Sequence, residues 1–97
     1  MAFRLDVTLG SVEYRGMRTG KSTKTGNPWM SLVLEDSDAN QIEVSVPQDM
    51  QGDVYGVGLR KGDMLALGIR AVAMSDGNSY IRLTALPQIL ESEEVDF

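Results

Sequence analysis

Between Tyr14 and Trp29 the chain sets Arg15, Arg18, Lys21 and Lys24 among three glycines, with no carboxylate in the segment. Cations spaced this way suit a flexible polyanion, because several mobile positive side chains can follow an irregular row of phosphates. The two rings that bracket the segment add a second chemistry. Unpaired nucleobases need flat apolar partners, and one base stacked on an aromatic side chain gains about 1–3 kcal/mol. A blander reading competes. Lysine-rich loops also keep sheet edges from pairing, and a lone tryptophan at a strand start often belongs to a core. The parity of Trp29 bears on the choice: on an extended segment it lies opposite the face of Met30, Leu32 and Leu34, and so points away from the expected core.

A smaller pair lies further along. Tyr80 and Arg82 share one strand face, so a base could stack while its phosphate meets the guanidinium, and an outward Arg70 could join them. The equal alternative is a packing pair on a solvated face. Residues 91–97, ESEEVDF, hold four carboxylates, no cation and a final phenylalanine. Such acidic segments are often disordered and only solubilising. An apolar anchor beside dense negative charge also fits a basic-rimmed pocket on another protein, with Glu93, Glu94, Asp96 and Phe97 as the contacts. The same segment could fold back onto the cationic loop.

The net charge of −5 is therefore segregated. Without residues 91–97 the chain carries ten acids against nine cations, so a near-neutral body separates a cationic loop from an anionic tail. With no cysteine there is neither a disulfide nor a thiolate metal site, which suits a reducing cytoplasm. With no histidine the commonest general base and metal ligand is gone, and the scattered carboxylates form no acid–base pair. DSDAN echoes the start of a calcium loop, but Gln41 stands where that loop requires glycine and Pro47 where it requires its last acid. The expectation is a protein that is not an enzyme, holds no cofactor or metal, and has no signal peptide or membrane span.

The elements that must position these groups are strands. Phe3, Leu5, Val7 and Leu9 alternate with polar residues as a half-buried strand whose phase slips at Gly10, where Val12 and Tyr14 become the large side chains. Residues 15–28 read as turn chemistry and 29–36 as a strand with Met30, Leu32 and Leu34 on one face. Ile42, Val44 and Val46 point inward on the next strand. Residues 47–63 read as a loop with at most one helical turn, in which Arg60 and Lys61 turn the chain into the fourth strand, 64–74. An Asp-Gly hairpin at SDGN leads to the last strand, with Ile81, Leu83 and Ala85 on one face. Five strands with a bent first member predict an all-β fold, a small five-stranded OB-fold barrel over residues 1–90, followed by a disordered acidic tail, 91–97. A small sandwich or SH3-like barrel competes.

The segment KTGNPW leading into a strand resembles the basic loop, Gly-x-Pro and aromatic of the filamentous-phage gene-five-type helix-destabilising proteins. LRKGD before the fourth strand is similar to the same approach in bacterial single-stranded DNA-binding proteins. EEVDF resembles the acidic, Phe-terminated tails of phage and bacterial members of that class, which recruit replication and repair enzymes. The resemblance implies a stacking role for Trp29 and phosphate contacts for Arg15, Arg18, Lys21 and Lys24. Tyr14, Arg70, Tyr80 and Arg82 complete the expected DNA-binding set. It also implies a homodimer or larger homo-oligomer that coats single-stranded DNA during phage or mobile-element replication, recombination or repair, with replication or recombination proteins as tail partners. The alternative is a barrel that binds only proteins, its basic loop meeting an acidic partner.

Overall fold

A computed structural model describes residues 3–73, 77 and 79–91, the last of these for its backbone. The strands are β1 (Phe3–Lys21), β2 (Pro28–Glu35), β3 (Gln41–Ser45), β4 (Met64–Ala73), β5 (Ser79–Leu83) and β6 (Gln88–Glu91). A 3-10 turn, Gln48–Met50, leads directly into α1 (Gln51–Val57). The sheet runs β1-β2-β3-β5-β4, and β4 returns to β1, so five strands close into a barrel. All pairings are antiparallel except β3 with β5, which meet in parallel at Ser45 and Arg82. Closure leaves few backbone groups at an edge.

β1 makes that closure possible because it serves two partners. Residues 3–13 pair with β4 and residues 13–21 with β2. The register against β4 shifts between Leu9 and Val12, which is the bend expected at Gly10. A second shift, between Tyr14 and Gly16, lets Arg15 bulge out of the β2 ladder. Bulges of this kind raise local twist and bend a strand around a corner. The core lies inside: Val12, Tyr14, Met30, Leu32, Leu34, Val44, Val46, Val54, Leu65, Leu67, Ile69 and Leu83. Each such aliphatic contributes roughly 1.5–3 kcal/mol by leaving water.

Four expectations change. The alternation of Phe3, Leu5 and Val7 is real, yet these side chains are 69%, 50% and 37% exposed, and only Leu9 packs against the core. That part of β1 runs beyond the barrel interior with β4 as its one partner. Second, residues 15–21 are strand, not turn, because β2 pairs with them as far as Lys21 opposite Pro28. Third, residues 48–57 form a continuous helical segment that closes on Gly58 (φ 73°), with Val54 buried in the core. Fourth, β6 is a short additional strand alongside the start of β4, with Leu65 opposite Ile89. The SDGN turn lies outside the described residues apart from Gly77 (φ 91°).

Two turns set the geometry of the outward surface. The β1–β2 turn is six residues, closed by Ser22 N–H donating to Asn27 C=O (2.9 Å) and Gly26 N–H to Ser22 C=O (2.8 Å). Before β4, Asp63 is 2% exposed, and its Oδ2 accepts the Arg60 N–H at 2.9 Å. Its backbone carbonyl accepts Tyr14 N–H at 2.8 Å. LRKGD thus locks the approach to β4 against the middle of β1.

Candidate nucleic-acid interface

The outward side of the barrel carries a belt of residues that are register neighbours across five strands. Arg18 lies opposite Ser31, Ser31 opposite Ser45, Ser45 beside Arg82, Arg82 opposite Arg70, and Arg70 opposite Asp6. Two short serines between Arg18 and Arg82 leave a low floor between two guanidinium groups. In its middle, Ser31, Ser45, Arg82 and Arg70 are each one residue out of phase with a buried neighbour: Leu32, Val44, Leu83 and Ile69 face inward.

Two residue pairs toward the end of the β1–β2 hairpin, Trp29 lies opposite Gly20. The indole rests on that glycine so closely that a Cβ there would sit 2.6 Å from Cζ2 and 2.9 Å from Nε1. The ring is therefore supported on one side by backbone and remains 41% exposed. A supported, partly exposed ring is a stacking platform that loses little freedom on binding. Gln51 fixes the same corner, donating from Nε2 to the Pro28 carbonyl (3.2 Å).

Cations near this surface fall into two groups. Lys21, Lys24 and Arg82 have no carboxylate partner among the described residues. Arg82 instead holds its guanidinium 5.1 Å from the centre of the Tyr80 ring, which is 40% exposed. The remainder are engaged. Arg18 pairs with Glu43 (3.3 Å), and Arg15 with Glu13 (2.5 Å) and Glu35 (3.5 Å). Arg70 grips Asp6 with two donors, Nε at 2.7 Å and Nη2 at 3.4 Å. That hydrogen bond holds the Asp6 carboxyl below the usual carboxylate range.

The structure removes Tyr14 from the expected contact set. It is 6% exposed, faces Leu34 across the hairpin and belongs to the core. Burial, with a smaller contribution from Tyr55, raises its phenol above the ordinary value. Arg18, Trp29, Arg70, Tyr80 and Arg82 are brought to one outward surface, Lys21 and Lys24 to the hairpin end, and Arg15 to the bulge. Glu93, Glu94, Asp96 and Phe97 lie outside the described residues. Gly20, Gln51 and the two serines were not apparent from the sequence, because their importance depends on cross-strand register. That register follows only once the turn is known to begin at Ser22.

A closed barrel of five strands in this order, with a helix between β3 and β4, makes the chain an OB-fold protein. No family model matches the chain, and no curated protein matches it in sequence. Among solved structures the fold is similar to that of Rim1, the mitochondrial single-stranded DNA-binding protein of S. cerevisiae. The TM-score is 0.55 over 95% of this chain and 97% of that one, at 13% identity. Likeness at that identity is likeness of fold.

Proposed function

We propose that this protein binds single-stranded DNA across the outward surface of β2, β3 and β5, with phosphates and stacked bases rather than a fixed sequence supplying most of the affinity. The observation that carries this reading is Trp29, seated on Gly20 and open on its outer side, in the outward surface that also carries Arg18 and Arg82 and beside the hairpin end that carries Lys21 and Lys24. Rim1, named as a binder of single-stranded DNA, has the same fold and adds support. The test is titration of oligo-dT at two salt concentrations. Wild type should bind, weakening as salt rises. Trp29→Ala should lose about 5- to 150-fold in affinity at both concentrations. Equal affinities would overturn the reading.

The sequence resemblances extend the proposal. In it, the protein coats single-stranded DNA of a phage or mobile element in the cytoplasm during replication, recombination or repair. The acidic segment with Glu93, Glu94, Asp96 and Phe97 recruits partner proteins. A homo-oligomer fits the exposed Phe3 and Leu5 and the single-sided pairing of residues 3–9, which leaves an apolar strand with room for a second copy. Phe3→Glu with Leu5→Glu should lower the mass measured by light scattering, and an unchanged mass would remove the oligomer from the proposal.

A further inference from the structure

Beside Trp29 the surface dips into a cleft of about 280 Å³. Pro28 and Trp29 of β2, Ser45 of β3, Arg82 of β5, and Gln48 and Gln51 of the helical segment line it. The two carboxamides differ. Gln51 is committed to the Pro28 carbonyl. Gln48 is exposed, and its amide has no hydrogen-bond partner among the described residues. A free carboxamide is planar and presents a donor and an acceptor side by side, which matches the donor–acceptor pairs along the edge of an unpaired base. Arg82, with no carboxylate partner among the described residues, lines the same cleft and offers a cation to a flanking phosphate.

We propose that this cleft takes one nucleotide of the bound strand and that Gln48 reads the edge of its base while Trp29 stacks on a face. The inference rests on the proposed binding of single-stranded DNA and adds a specificity-determining residue to it. Stacking is tolerant of base identity, because every base has a π-face. An edge contact is not, because a mismatched donor or acceptor is left unpaired. The protein therefore discriminates between homopolymers at this position through Gln48.

The experiment measures affinities of oligo-dT, oligo-dC and oligo-dA of about fifteen nucleotides, long enough to fill one OB barrel. Wild type, Gln48→Leu and Gln48→Glu are compared at one salt concentration, with melting curves to confirm folding. Wild type should separate its best and worst homopolymers by about fivefold or more, and Gln48→Leu should reduce that ratio to within about twofold. Gln48→Glu offers acceptors only and should shift the dC-to-dT ratio toward dC, whose N4 amino group donates. The same ratios in wild type and Gln48→Leu, whether flat or steep, would overturn the base-reading role while leaving Trp29-dependent binding intact. Absence of any binding by wild type would overturn the proposed function and this inference together.

Discussion

The two ends of the β1–β2 hairpin start from similar sequence and finish with opposite physics. At the far end Trp29 lies on Gly20, open to solvent, and Lys21 and Lys24 have no acid beside them among the described residues. At the base Tyr14 faces Leu34 inside the barrel, and Arg15 is held between Glu13 and Glu35. Both ends offer a ring and cations. What separates them is the phase of each ring relative to the core, together with the bulge that turns Arg15 into a carboxylate pair. A ring is a binding group only if register leaves it outside the core, and a cation held between two carboxylates has less charge to offer a phosphate.

Exchanging the roles of the two rings is the hardest test of that contrast. Tyr14→Ala should cost about 3–5 kcal/mol of unfolding free energy by opening a cavity in the core, read from urea melts. Trp29→Ala should cost far less stability while weakening oligo-dT binding at both salt concentrations. Tyr14→Phe should bind oligo-dT like wild type. A Tyr14→Phe variant that folds normally and binds tenfold more weakly would show that the base of the hairpin does meet DNA.

Next in size is the glycine beneath the indole. Gly20→Ala places a methyl where the ring now lies, and since the obstacle is the wide body of the indole, the ring must lift from the sheet. Affinity should fall on the order of tenfold, through loss of the supported stacking geometry. The melting temperature should move much less than for Tyr14→Ala. An unaltered affinity would mean that the seat of the ring is incidental to its use.

The same register logic decides how much of the fold and the site is legible in the sequence. Alternation in β2 and β3 placed Leu32 and Val44 inside and Trp29 outside, and the phase slip at Gly10 marked the bend that lets β1 serve two partners. That slip also put Tyr14 in phase with buried Val12, a clue outweighed by its adjacency to Arg15. The helical segment was obscured because Gly52, Gly56 and Gly58 lower intrinsic helix propensity, and its packing through Val54 supplies what propensity does not. The cleft could not be foreseen at all. Its walls come from residues 28, 48 and 82, which only closure of the barrel brings together.

The cations should divide by engagement in the same way. Lys21→Ala and Lys24→Ala should each flatten the dependence of log K on log salt by about 0.7, the value for one phosphate contact on a single strand. Arg15→Ala should change the slope less, because Glu13 and Glu35 already neutralise that guanidinium. Equal slope changes for Lys21 and Arg15 would show that DNA displaces the carboxylates, and engagement in the free protein would then be a poor guide to contact.

The smallest effect belongs to the end of the belt, where Asp6 restrains Arg70. The hydrogen bond from Arg70 depresses the Asp6 pKa, so folding favours the ionised carboxylate. Whatever stability the pair supplies is then fully present above the carboxyl's unfolded-state pKa, and is lost as pH falls through the lower folded-state value. Both groups reach solvent, so the contribution is slight. Asp6→Asn should therefore show a slightly flatter acid limb in a stability-versus-pH profile than wild type, with coincident curves at neutral pH beyond a small constant offset. At neutral pH and low salt the same variant releases Arg70 toward Arg82 and the rest of the belt, and oligo-dT should bind up to a few times more tightly. Tighter binding would extend the DNA path from the Trp29 corner round to β4. Unchanged binding would end that path at Arg82, and confine the interface to the surface between Arg18 and Arg82.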